Sequence, residues 1–242
     1  MATLVFDIET VGEEWEAFDS TTQQTLTRWI HTTCRDEDER ERLLTDLKEG
    51  LGFSPFTGRI VAIGLYDVER QQGVVYYTGS GDEIDEEEGD FILKSRSEKE
   101  MLEDFWEGAT SYDTFVTFNG RGFDVPFMNI RSAIHHVRPA YDLMEGRYLS
   151  QQKSVRHVDL QDQLTYYRAV HRRPSLHLVC RAFGITSPKE DGVSGDDVAE
   201  LFHSEKFRDI ARYNARDVVA TTSLYRKWLD HLAPYSFLNT QL

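Results

Sequence analysis

The sequence predicts a mixed α/β fold, and three observations carry that reading. The chain opens on an apolar strand, Leu4 to Ile8. Two β-branched runs, Arg59 to Asp67 and Gly73 to Thr78, flank a short polar turn in the manner of an antiparallel hairpin. From residue 97 onward, strand-like stretches alternate with stretches whose apolar residues recur at helical spacing. At 242 residues the chain can bury a sizeable core, and without an evident linker it reads as one domain over 1–242. No apolar run is long enough to cross a bilayer, so no membrane partner is expected. The amino terminus enters the first strand directly, which leaves no room for a signal peptide. Cys34 and Cys180 stand in no metal-binding spacing and suit a reducing compartment, so the expected location is cytoplasmic.

In the opening strand the apolar residues fall on both faces, as in a strand covered on each side. Asp7 and Glu9 are two apart and share one of those faces. Unpaired charges resist burial, so this pair either meets a cation or has already reached solvent at the strand's end. Residues 13–50 read as a helical insertion, with Trp15, Phe18, Leu26, Trp29, Ile30, Leu43, Leu44 and Leu47 at roughly helical spacing. Gly81 to Asp90 is strongly acidic, lacks the ordered ligand spacing of a calcium loop, and reads as a solvated loop. Ser97, with Glu100 three residues on, predicts a capping box opening a helix to Gly108.

A short strand over Thr114 to Phe118 leads into Asn119-Gly120-Arg121-Gly122-Phe123-Asp124 and a helix to His136. In isolation Asp124 reads as a helix cap and Asn119-Gly120 as turn chemistry. His157 to Leu160 predicts another strand, followed by helical segments through Cys180. Asp196 to His203 and Glu205 to Leu232 predict the last helices, and residues four apart on the latter, Tyr213 and Asp217, lie on one face.

Net charge of −15 excludes general electrostatic attraction to nucleic acid, so any such binding is local. Tyr166 to Arg181 is the densest basic stretch, with Arg168, His171, Arg172, Arg173, His177 and Arg181. Two readings stand: a phosphate-facing patch, or a basic surface answering acidic neighbours.

The order of an acidic strand end, an Asn-Gly turn with an aspartate at a helix start, and Tyr-x-x-x-Asp on a late helix resembles the DEDD superfamily of 3′–5′ exonucleases. Tyr213 places the resemblance in the tyrosine (DEDDy) branch, near the exonuclease domain of family B DNA polymerases, including versions that occur without a polymerase attached. Phe6-Asp7-Ile8-Glu9-Thr10 is similar to the first motif, Phe118 to Asp124 to the second, and Tyr213 with Asp217 to the third. His157 to Leu160, Ser175-Leu176 and Lys189 to Gly192 are also similar to that group. The acidic surface and the 13–50 insertion depart from a minimal domain.

The resemblance implies a ribonuclease H-like α/β fold, a mixed five-stranded sheet flanked by helices with its first three strands antiparallel neighbours. It further implies an enzyme that removes nucleoside monophosphates from a free 3′ end of single-stranded DNA, with RNA as the second substrate class. Two carboxylates about 5 Å apart repel by roughly 3 kcal/mol at an effective dielectric of 20, so four in one cavity call for compensation. Two divalent cations, Mg2+ or Mn2+, suit hard oxygen ligands. By resemblance Asp7, Glu9, Asp124 and Asp217 hold them and Tyr213 orients the attacking water. Thr10, Asn119, Phe123 and Lys189 are the implied substrate contacts. The competing expectation is a catalytically weak or inactive module of the same fold that binds nucleic acid or a partner. A polymerase or repair partner is compatible with either, though no residue identifies one.

Overall fold

The computed structural model describes residues 2–34, 36–79, 85–187 and 197–239. Seven strands form one mixed sheet: β1 (Thr3–Gly12), β2 (Gly58–Asp67), β3 (Gln72–Tyr77), β4 (Glu86–Glu88), β5 (Phe91–Ser95), β6 (Thr114–Thr117) and β7 (Arg156–Asp159), in the order β4-β5-β3-β2-β1-β6-β7. Strands β1, β2 and β3 are antiparallel neighbours, and β6 and β7 extend the sheet in parallel from β1. The expected five strands are therefore present, with β1 at their middle, and β4 and β5 are two more. Part of the acidic stretch expected as a solvated loop is the edge strand β4, paired antiparallel with β5. Its charges are answered, since Arg208 reaches Glu86 and Arg212 reaches both Glu86 and Glu88. A hairpin built on Glu-Glu-Glu carries no β propensity, so its pattern was not readable locally.

Helices cover both faces. The chain contains α1 (Ser20–Thr33), α2 (Glu37–Glu49), α3 (Glu98–Ala109), α4 (Asp124–Ile134), α5 (Leu160–Leu164), α6 (Leu176–Phe183), α7 (Val198–His203), α8 (Phe207–His231) and α9 (Tyr235–Leu238). Alternation along β1 divides the core. Leu4, Phe6 and Ile8 pack with Met101, Leu102, Phe105 and Phe127 of α3 and α4. Val5 and Val11 pack on the other side with Val218, Leu224, Tyr225 and Trp228 of α8. Asp7 and Glu9 occupy the same alternate register as Val5 and Val11, and so face α8.

The α3 cap matches its sequence signature: Ser97 accepts from the Glu100 N–H at 3.4 Å while the Glu100 carboxylate accepts from the Ser97 N–H at 2.8 Å. Caps of this kind contribute about 1 kcal/mol. The insertion is helical, and a 3-10 turn, Gly50–Phe53, returns it to the end of β1. There Thr10 Oγ1 donates to the Gly52 carbonyl at 2.8 Å and the Glu13 N–H to the Thr57 carbonyl at 2.8 Å. Opposite this tie β2 carries one extra residue, since Glu9 pairs with Ala62 and Thr10 with Ile60. Such bulges bend a strand and re-aim its side chains.

The helical segments expected after the His157 to Leu160 strand are α5 and α6, joined by a non-helical turn. Between the two helices Tyr166, Tyr167 and Arg168 take positive φ angles of 49°, 55° and 78°. Left-handed conformations interrupt a right-handed helix, and nothing in the local apolar spacing announces them.

Candidate active site

Elements distant in sequence converge on the second half of β1, where the strand runs on to Gly12, past its pairing with β6 at Val5 and its expected end at Glu9. Asp7, Glu9 and Asp217 offer carboxylate oxygens that all lie within 4.8 Å of one another. Glu9 and Asp217 retain 8% and 9% of their exposure, and Asp124, on the first turn of α4, only 3%. Asp124 does not cap its own helix; Phe123 occupies the cap position and Asp124 Oδ1 accepts the Ile8 N–H at 3.1 Å. That bond fixes the second motif against the first.

The charges in this cluster are costly. Burial, then the neighbouring Asp124, Asp217 and Glu9, push the Asp7 carboxyl well above its usual range. Burial and Asp217 do the same to Glu9. Asp124 is raised to about 7, mainly by burial. Among the described residues no lysine or arginine forms an ion pair with Asp7, Glu9 or Asp124. Compact, buried, all-oxygen donors are what a hard divalent ion requires, so the donor set fits such ions.

Tyr213 stands one helical turn before Asp217 and is 4% exposed. Burial, then the charges of Asp217, Glu9 and Asp7, hold its proton on, so it remains a phenol. Arg216 lies 6.0 Å from the Tyr213 ring centre.

One residue between them was given no role by the sequence reading. Asn214 is fully buried, and its Nδ2 donates to Asp7 Oδ2 at 2.9 Å. Asn214 Oδ1 has no hydrogen-bond partner and sits against Gly64 of β2, where a Cβ would come within 2.2 Å of it. Gly64 pairs directly with Asp7 across the sheet. A glycine inside an otherwise apolar strand is the available sign of such a close approach.

The second motif's loop is held by Asp159, at the end of β7. Its Oδ1 accepts the Asn119 N–H and its Oδ2 the Arg121 N–H, both at 3.0 Å, and it also caps α5 through the Gln161 and Asp162 N–H groups. Asn119 takes φ 66°, and a Cβ on Gly120 would lie 2.3 Å from Thr117 Oγ1, so the Asn-Gly pair is a geometric requirement of this turn.

Of the expected substrate contacts, Asn119 and Phe123 lie in this loop beside Asp124. The Phe123 ring packs 5.5 Å from Phe127 and 6.5 Å from Phe53, an exposed residue at the end of the insertion that the sequence reading did not single out. The Thr10 hydroxyl is taken by Gly52. Lys189 lies outside the described residues.

A ribonuclease H-like sheet with an acidic centre on the second half of its middle core strand defines the class of protein. The chain belongs to the family described as predicted 3′–5′ exonucleases related to the exonuclease domain of PolB, whose model matches residues 56–233. That span includes Asp124, Tyr213 and Asp217 and begins after Asp7 and Glu9, which the fold brings to them. Among solved structures the chain is similar to the family B DNA polymerase from the hyperthermophilic archaeon Pyrobaculum calidifontis, with a TM-score of 0.58 and 18% identity. The match covers 94% of this chain and 24% of that one, so the likeness is one of fold and extends over about a quarter of the polymerase. No curated protein matches. Among the described residues no helix is long and apolar enough to cross a membrane.

Proposed function

We propose that the protein hydrolyses the terminal phosphodiester at the 3′ end of single-stranded DNA, releasing nucleoside monophosphates, with RNA as the second substrate class. The observation that carries this reading is the convergence of the Asp7, Glu9 and Asp217 oxygens within 4.8 Å, with Asp124 tied to the same strand. Asp7, Glu9 and Asp217 would hold one Mg2+ or Mn2+, and Asp7 with Asp124 a second. Such ions, when bound, neutralise charge developing on the attacking and leaving oxygens of an in-line displacement.

The chain's own groups set the rest. Tyr213 keeps its proton, so its hydroxyl orients the attacking water by hydrogen bonding and does not act as the base. Phe123, with Phe53 beside it, offers a stacking surface to the terminal base, which is sequence-tolerant because every base has a π face. Asn119 supplies the polar contact to that nucleotide. Thr10 acts indirectly, fixing the Glu9 end of β1 to the insertion. Water's oxygen bonds to phosphorus as the bond to the penultimate 3′ oxygen breaks, and a nucleoside 5′-monophosphate departs.

The test is digestion of 5′-labelled single-stranded DNA and RNA with Mg2+ or Mn2+. Stepwise shortening by the parent and its loss in Asp7→Ala are expected. An Asp7→Ala protein that digests as fast as the parent overturns the proposed centre.

A further inference from the structure

We propose that the turn between α5 and α6 is a docking surface for the phosphate backbone of a single strand upstream of the 3′ end, through Arg168, Arg172 and Arg173. The proposal deepens the nuclease reading and rests on it for the direction of the strand. The setting is an acidic protein in which much of the basic charge is already committed. Arg131 pairs with Glu98, Arg96 with Asp104, Arg147 with Asp162, and Arg208 and Arg212 with Glu86 and Glu88. Among the described residues Arg168, Arg172, Arg173 and Arg181 make no ion pair, and all four are exposed. None of these four arginines is therefore committed to a carboxylate among the described residues. Positive charge clustered this way on a chain of net charge −15 is available to an external polyanion, which relieves the repulsion among the arginines.

Placement gives the patch its occupant. The segment leaves the candidate active site at Asp159, which holds the Asn119 and Arg121 N–H groups and caps α5. It returns at α6, which packs on α8 and adds Val179 to the apolar cluster that includes Tyr213. The Gln161 side-chain amide donates to the Pro174 carbonyl at 3.1 Å, so Arg173 returns beside the start of α5, close in sequence to Asp159. Tyr166 and Tyr167 line a cavity with Leu232 and Trp228, the latter about 16 Å along α8 from Asp217 at 1.5 Å per residue.

The turn is also held in a costly shape. Three consecutive residues in the left-handed region each carry strain, and such conformations persist only where their surroundings impose them. Here the Tyr167 N–H donates to the Asp162 carbonyl at 2.7 Å, the Tyr167 hydroxyl accepts from Gln163 at 2.8 Å, and its ring packs 4.5 Å from Tyr148. The result presents Tyr166, 65% exposed, beside the arginines. Basic side chains interleaved with an exposed aromatic suit a flexible strand, whose phosphates and bases are both accessible.

The experiment is a combined Arg168→Asn, Arg172→Ser, Arg173→Ser variant, with asparagine chosen because it tolerates positive φ. With a 5′-labelled 20-mer, KM is expected to rise about 10-fold or more with kcat unchanged, and the log–log salt slope to fall by about 2, at roughly 0.7 per phosphate contact on single strands. A labelled dinucleotide, too short to reach the turn, is expected to be cleaved equally by both proteins. Unchanged 20-mer kinetics and salt slope overturn the proposal, and so does an equal loss on the dinucleotide. If the parent cleaves neither substrate, the nuclease reading fails by itself. Fluorescence anisotropy with the 20-mer then tests the patch separately, equal affinities of parent and variant overturning it and weaker binding by the variant sustaining it.

Discussion

Acidic groups on the two faces of this sheet are treated oppositely. On the α3/α4 side, Glu98 accepts from Ile60 N–H at 2.8 Å, from Arg131 Nε and Nη2 at 2.8 and 2.6 Å, and from His135 Nε2 at 2.7 Å. Burial raises its carboxyl, but the Arg131 fork, the Ile60 amide and His135 outweigh that and hold it below the usual range. Around the second half of β1, Asp7, Glu9 and Asp124 are pushed the other way, with Asn214 the neutral side-chain donor to Asp7. The first site is complete within the protein. The second keeps its carboxyls raised among the described residues, which marks it as the place where the divalent ions proposed above would bind.

The sharpest way to break this comparison is to neutralise one member of each site. Asp7→Asn is expected to lower exonuclease activity about 10³-fold, the equivalent of several kcal/mol of lost charge stabilisation. In chelator at pH 8 the same variant is expected to melt no lower than the parent, because it removes repulsion. A thermal melt showing it clearly destabilised would place Asp7 with Glu98 as a structural acid. Glu98→Ala should do the reverse. Leaving Arg131 buried without its partner costs about 3 kcal/mol or more. Chemical denaturation measures that loss, while the folded fraction should bind Mn2+ as the parent does.

Asn214→Ala sharpens the contrast within the acidic site. Groups that orient metal ligands typically contribute about 10-fold or more in metal affinity. Mn2+ titration by calorimetry is expected to show that loss, with the fold retained by circular dichroism, and unchanged affinity would leave Asn214 a packing residue.

The smallest effect concerns pH. Asp124 titrates near 7 in the metal-free fold, so between about pH 4 and 7 the native state holds a proton that the unfolded chain has released. That contribution to stability is present at low pH and lost as pH rises through 7. His157, buried and pushed down to about 4, works in the opposite sense, its contribution being lost as pH falls below its unfolded value. Comparing the parent with Asp124→Asn in chelator cancels the histidine. The parent is expected to lose more stability than the variant from pH 5 to pH 8, by on the order of 1 kcal/mol. Equal losses would show that Asp124 is ionised throughout.

The motifs were legible where local geometry carries them. Asp7 and Glu9 share a strand face, Tyr213 and Asp217 share a helix face, and Ser97 with Glu100 spells a capping box, because periods of two and 3.6 are properties of contiguous chain. The same periodicity yielded the strands on either side of β1 and the helical insertion. The choice of metal ligands came instead from the resemblance of three ordered motifs, because periodicity alone left Asp7 and Glu9 equally readable as a solvated pair. Nor did periodicity reveal Phe53, the β4–β5 hairpin, or the left-handed turn at Tyr166 to Arg168.

What tertiary structure alone decided are the partnerships across long separations. Asn214 meets Asp7 over 207 positions, the Ile8 N–H meets Asp124 over 116, and Arg131 meets Glu98 over 33. Each is set by which strands pair and which helix crosses them, a global competition among buried polar groups for partners that no local pattern encodes. Residue order thus specified which carboxylates the protein has to place. Only the closed sheet determined that Glu98 receives an arginine and that Asp7 receives an asparagine.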